Sequence, residues 1–91
     1  AAEAPSDLAA YERRLAADAG DHEARLELAK ALAAHGRMEA AVDHLLAIIE
    51  RERDWNEGAA CKQLLTIFEA AGPGSDVTRS GRKRLSAILF S

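Results

Sequence analysis

Apolar side chains along this chain return every three or four residues in five stretches, each closed by glycine, proline or a short polar turn. A return of that length is the period of an α-helix, so the pattern predicts five helices and no strands. Leu8, Tyr11 and Leu15 form the face of the first, over about 6–19, opened by Pro5 and Ser6, with Ser6 able to cap the free amides. Asp21 is the cap residue of a second helix over about 22–35, whose stripe is Leu26, Leu28, Ala29, Leu32 and Ala33. Gly36 is placed to end it in a left-handed conformation. Beyond the Gly36-Arg37 turn, Ala41, Val42, Leu45, Leu46, Ile48 and Ile49 give the strongest stripe, a third helix over about 38–53. Asn56 is set to cap a fourth over about 56–71, carrying Ala60, Leu64, Leu65, Ile67 and Phe68, which Gly72-Pro73-Gly74 halts. Asp76 starts a fifth over about 76–90, with Leu85, Ile88, Leu89 and Phe90 on its apolar side.

The stretches are also copies of one another. Moving the second helix forward by 36 residues lays Leu28 on Leu64, Ala29 on Leu65, Leu32 on Phe68 and Gly36 on Gly72. The third helix matches the first at an offset of 34, with Leu45 over Tyr11 and Ile49 over Leu15. It matches the fifth at an offset of 40, with Ala41 over Gly81, Leu45 over Leu85, Ile48 over Ile88 and Ile49 over Leu89. A turn as short as Gly36-Arg37 forces an antiparallel hairpin, and hairpins repeated at this period bury their apolar faces only against neighbouring hairpins. The predicted fold is all-α, a stack of antiparallel helical hairpins in the order B, A-B, A-B. Ala41 and Gly81 fall where two helices cross closely, since a side chain larger than a methyl would push them apart.

Composition narrows the function classes. The 91 residues suit one domain, 1–91, and the wealth of alanine and leucine over aromatic and β-branched residues favours helix. The net charge is -3, and it is uneven: residues 1–75 carry 8 basic and 14 acidic side chains, residues 76–91 carry 4 basic and 1 acidic. A single short basic cluster on an acidic chain, without interleaved aromatics, argues against nucleic acid as partner. No apolar run approaches the roughly 20 residues that span a bilayer, so no membrane role is expected. Cys61 is the only cysteine, which excludes an internal disulfide and suits a reducing, cytoplasmic setting. The start at Ala1 suggests an excised piece of a longer protein.

Catalytic chemistry finds little to stand on. His22-Glu23 begins a metalloprotease-like string, but Leu26 stands where a second histidine is needed. His35 and His44 have no matching ligands and read as surface histidines. Cys61, on the first turns of the fourth helix, has no histidine one turn away to activate it and reads as a half-buried thiol. Gly72-Pro73-Gly74 lacks the lysine and hydroxyl of a phosphate loop, and Trp55 reads as a staple of the turn before the fourth helix. No enzyme activity, metal or cofactor is expected.

The pattern Leu28-Ala29, Leu32, Gly36, Ala41, Leu45 resembles the core of a tetratricopeptide repeat, with Arg25 and Arg53 where that repeat usually has an aromatic residue and a proline. The resemblance implies a right-handed stack. A more specific one covers most of the chain: Asp54-Trp55-Asn56-Glu57-Gly58-Ala59-Ala60, Lys62-Gln63-Leu64-Leu65, Phe68-Glu69-Ala70 and Arg82-Lys83-Arg84-Leu85 with Leu89-Phe90 are similar to the C-terminal domain of bacterial thioredoxin-like co-chaperones, the chaperedoxins of YbbN type. That resemblance implies a preceding thioredoxin domain and a protein that holds unfolded clients and passes them to cytoplasmic chaperonins. With no Cys-x-x-Cys pair in this chain, redox chemistry does not carry over.

In tetratricopeptide stacks the A helices line a concave groove, and the register then points Glu23, Leu26, Lys30, Ala33 and Ala34 of the second helix, and Ala59, Lys62, Thr66 and Glu69 of the fourth, toward it. Lys30 and Lys62 become candidates to grip a peptide carboxylate. The fifth helix joins the basic run Arg79, Arg82, Lys83, Arg84 to an apolar end, which suits docking on a partner. Phe90 repeats no required core position and is the candidate exposed contact, with Leu89 as core. The expected function is protein–protein interaction, with unfolded clients or a chaperonin as partner. The alternative is a structural module for self-association, as a homo-oligomer, or for packing on an upstream domain.

Overall fold

The computed structural model describes residues 3–90, with side chains described from Leu8 onward. Among the described residues there are five α-helices and one short 3₁₀ segment, and no strand. α1 spans Glu3–Ala17, α2 His22–Ala34, α3 Met38–Arg51, α4 Ala59–Ala71 and α5 Asp76–Leu89, with the 3₁₀ turn at Trp55–Gly58. Each helix packs on the one before it, and α2 also meets α4 while α3 meets α5. The A helices α2 and α4 thus lie side by side in one layer, and the B helices α3 and α5 in the other, which is the predicted hairpin stack.

α3 is the middle of the core. Ala41, Leu45 and Ile48 are fully enclosed, and Val42, Leu46 and Ile49 nearly so, because α2, α4 and α5 all press on it. Leu28, Ala29 and Leu32 of α2 and Leu64, Ile67 and Phe68 of α4 complete one continuous cluster. Leu8, Tyr11 and Leu15 close it from the α1 side, and Val77, Leu85, Ile88 and Leu89 from α5. The repeat-matched pairs Leu28/Leu64 and Leu32/Phe68 are buried alike.

The joints follow from local chemistry. Asp21 caps α2, its carboxylate accepting from the Ala24 amide at 3.0 Å. Arg14, in the last turn of α1, donates to the same carboxylate at 3.2 and 3.3 Å and to Glu23 at 3.4 Å, tying α1 to the start of α2. The Ala24 amide above all, and Arg14 after it, hold the Asp21 carboxyl below its ordinary range. α2 ends as predicted at Gly36, which takes φ +81°, so that Arg37 N–H reaches the Leu32 carbonyl at 2.8 Å and Gly36 N–H the Ala33 carbonyl at 3.0 Å. These are the two bonds of a Schellman closure.

Two joints depart from the sequence reading. α1 begins at Glu3, which places Ser6 within the helix instead of at its start, and the Ser6 side chain lies outside the described residues. Asn56 does not cap α4. Asn56, Glu57 and Gly58 take φ values of 51°, 57° and 77°, a left-handed run that reverses the chain, so that α4 starts three residues later with Gly58 before it. Asparagine and glycine tolerate that region; Glu57 holds it at a cost of about 1–2 kcal/mol.

The α4–α5 joint is a hydroxyl knot that the sequence reading missed. Ser75 caps α5 by accepting from the Thr78 amide at 3.2 Å. The Thr78 side chain is fully buried, its Oγ1 lying 2.7 Å from the Gly72 carbonyl and 3.3 Å from the Phe68 carbonyl, while accepting from Ser75 Oγ at 3.0 Å. Its one hydroxyl proton goes to the nearer acceptor, the Gly72 carbonyl at the end of α4, whereas the Phe68 carbonyl already accepts the Gly72 N–H at 2.9 Å. Thr78→Val keeps the shape and removes the donor, so urea unfolding is expected to show a loss of about 1–3 kcal/mol. An unchanged midpoint would mean that the knot contributes nothing.

Candidate partner-binding surfaces

The A-helix layer is built from α2 and α4. Glu23, Lys30 and Ala34 of α2 and Lys62, Thr66 and Glu69 of α4 are exposed, while Ala33 and Ala59 are half-buried. Leu26 corrects the expectation for this groove, since it is 6% exposed and belongs to the core. Lys30 lies 3.4 Å from Glu27 one turn back, which leaves it partly neutralised. Lys62 has no ion-pair partner among the described residues; one free and one paired lysine make a weak carboxylate grip.

The basic run of α5 divides by partner. Arg84 reaches across to Asp43 of α3, a bond between residues 41 apart in sequence, and so ties α5 to the stack. Arg79 pairs with Asp76 at 2.9 Å. Arg82 and Lys83 are exposed and carry no ion pair among the described residues. Phe90 is 83% exposed, and Leu89 is half-buried against the edge of the core.

Leu65 is an exposed apolar residue that sequence reasoning placed wrongly. Its match to Ala29 predicts burial, yet it is 48% exposed, where Ala29 is completely enclosed. The signal that could have found it is the pair of charged residues on either side of it along the helix, Lys62 and Glu69, at i-3 and i+4 on one face. Leu65, Phe68, Glu69, Pro73 and Arg82 line a cleft of about 400 Å³ between α4 and α5.

Two of the three histidines are packed, His44 against the expectation of a surface position, while His35 is exposed as expected. Arg25, standing where a tetratricopeptide repeat carries an aromatic residue, fills that place by bonding His44 Nδ1 at 3.2 Å and the Ala19 carbonyl at 3.1 Å. The guanidinium can only donate, so Nδ1 accepts and the ring proton sits on Nε2. Burial first, and Arg25 second, lower the His44 pKa against the opposing pull of Asp43 and Glu12. A lowered histidine pKa adds stability at and above the unfolded value, near 6.5, that is lost as pH falls below it. Unfolding free energy is therefore expected to fall between pH 7 and pH 5, with a shallower slope in His44→Gln; identical slopes by denaturant titration would refute the coupling. His22 packs edge-on to Trp55, with ring centres 5.5 Å apart, and its Nε2 lies 3.5 Å from Glu52. Trp55 thereby fastens the left-handed turn to the start of α2.

Cys61 is half-buried against the core. Among the described residues no group of three histidine, cysteine or carboxylate side chains is placed to hold a metal ion. None of the described helices is long and apolar enough to cross a membrane.

These elements define a class: a helical-hairpin repeat with its A helices in one layer and its B helices in the other. The chain belongs to the tetratricopeptide repeat family, whose pattern matches residues 1–90. No curated protein and no solved structure matches it. Repeats of this family are in general protein–protein interaction modules.

Proposed function

We propose that this chain is the interaction domain of a thioredoxin-like co-chaperone, the C-terminal part of a longer cytoplasmic protein, binding unfolded clients or a chaperonin. The observation that supports it best is α5, followed by a phenylalanine 83% exposed, about two turns beyond the unpaired cations Arg82 and Lys83. An exposed aromatic beside free cations suits extended, partly apolar and acidic segments. The similarity of Asp54–Ala60 and of Arg82-Lys83-Arg84-Leu85 to chaperedoxins supplies the co-chaperone role.

The test is capture from cytoplasmic extract, comparing the intact chain with Phe90→Asp and with the pair Arg82→Glu, Lys83→Glu. Point changes are needed because α5 carries Thr78, Gly81 and Leu85 into the core, so removing the helix would unravel the stack. Loss of chaperonin or client capture by both variants, with helical content retained, supports the reading. Capture unchanged in both, or no suppression of aggregation of a denatured client by the intact chain, refutes it. A tight dimer in sedimentation, without such activity, would favour the self-association reading.

A further inference from the structure

We propose that the outer stripe of α4, made of Lys62, Leu65 and Glu69, together with Arg82 of α5, docks an amphipathic helix of another protein whose apolar strip is flanked by acidic side chains. The proposal rests on the protein-binding character of the family and not on the co-chaperone role.

The repeat itself locates the berth. The 36-residue offset that matches Leu28 to Leu64 carries Leu26, Ala29 and Ala33 of α2 onto Lys62, Leu65 and Glu69 of α4. On α2 this stripe is largely covered, with Leu26 at 6% and Ala29 at 0% exposure and Ala33 half-buried, and α4 is among the helices packed on α2. On α4 all three positions are exposed, since no further A helix lies beside it among the described residues. The repeat positions that are covered on the inner A helix are thus open on α4. The cleft of about 400 Å³ beside it has Phe68 and Pro73 among its walls, so an apolar side chain set against Leu65 has apolar surface to cover.

The changes of residue between the two stripes describe the occupant. Leucine, alanine and alanine on α2 become lysine, leucine and glutamate on α4, so the occupant cannot be a plain apolar A helix. It must present an apolar centre to Leu65 and anions to Lys62 and Arg82. These cations are free to receive them: Arg79 and Arg84 are neutralised within the chain by Asp76 and Asp43, whereas neither Lys62 nor Arg82 has an ion pair among the described residues. Glu69 lines the same cleft without bonding Arg82 and leaves the surface with two cations against one anion. Opposite charge around a small apolar contact sets orientation and encounter rate more than affinity, so binding should be modest and salt-sensitive.

The experiment uses the whole chain and two labelled helical probe peptides of about 20 residues. One has an alanine and leucine strip flanked by glutamates, the other the same strip flanked by lysines. Fluorescence anisotropy is expected to show binding of the acidic probe, at least tenfold weaker binding of the basic one, and weakening of the acidic complex as salt rises. Lys62→Glu with Arg82→Glu should weaken it at least tenfold, and Leu65→Glu should abolish it, with helical content and unfolding midpoint unchanged because these side chains are exposed. Isotope-edited spectra should place the largest shifts on α4 and α5 around Leu65. Equal affinity for both probes, no binding of the acidic probe, shifts centred on Lys30 and Ala34, or a dimer that buries Leu65 would each overturn the proposal. Loss of client capture with probe binding intact would remove the co-chaperone role alone; retained capture without probe binding would remove only this surface.

Discussion

Gly81→Val is expected to lower the unfolding free energy by about 3 kcal/mol, at the upper end of what overpacking costs. A side-chain carbon at Gly81 would lie 2.5 and 2.7 Å from ring atoms of Phe68 and 3.4 Å from a methyl of Val42. Phe68 is only 2% exposed, so its ring has little space into which to retreat. For a chain of this length, with a total stability of about 5–14 kcal/mol, that loss removes a large share. The melting temperature should fall by roughly 4–8 °C for each kcal/mol. Alanine should cost less, because its clash is smaller and it recovers about 1 kcal/mol of helix propensity over glycine. The decisive measurement is a double-mutant cycle with Phe68→Leu, in which the smaller side chain should absorb part of the Gly81→Val loss. If the two changes simply add, the close approach of α4 and α5 is not what excludes a side chain at this position.

Leu64→Ala should cost about 4 kcal/mol, and Leu28→Ala nearly as much. Both leucines are enclosed, at 0% and 2% exposure, at matched places in the two A helices, and each fills space that α3 bounds on one side. Parallel losses in denaturant midpoint, with one cooperative transition retained, are the signature of a single apolar seam running through the repeats. A Leu64 variant within 1 kcal/mol of wild type, beside a severely weakened Leu28 variant, would mean that the second hairpin is only loosely attached.

Much of this architecture was legible in the residues because each cue was local. Asp21 caps a helix through a hydrogen bond three residues away, and Gly36 closes one through its own positive φ. The burial of Leu28, Leu45 and Leu64 follows from periodicity alone. What escaped was set by relations the pattern does not carry. Leu65 and Ala29 occupy one repeat position and differ in exposure, 48% against 0%, because position in the stack and not repeat register alone decides what covers a side chain. Asn56 has the chemistry of a cap, but the chain must turn sharply to seat Trp55 against His22, and that requirement selects the left-handed run instead. Arg84 belonged by sequence to a free basic cluster, and a contact 41 residues away decided its role. The bond from Arg25 to His44 is likewise a contact between elements, invisible to a reading that asks only which face of a helix a residue shares.

The N-terminal helix and the centre of the molecule are unequally anchored. α3 is held by α2, α4 and α5, whereas α1 leans chiefly on α2 through three half-buried side chains and the Arg14 clamp. Local opening takes its free energy from the contacts it breaks, so the first helix can peel away and return many times for each opening of the centre. Amide protons should record that difference as a gradient of protection, lowest in α1 and highest in α3. A protein joined to this chain ahead of α1 would therefore be tethered through the layer that yields first, and could shift its position without disturbing the surfaces carried by α4 and α5.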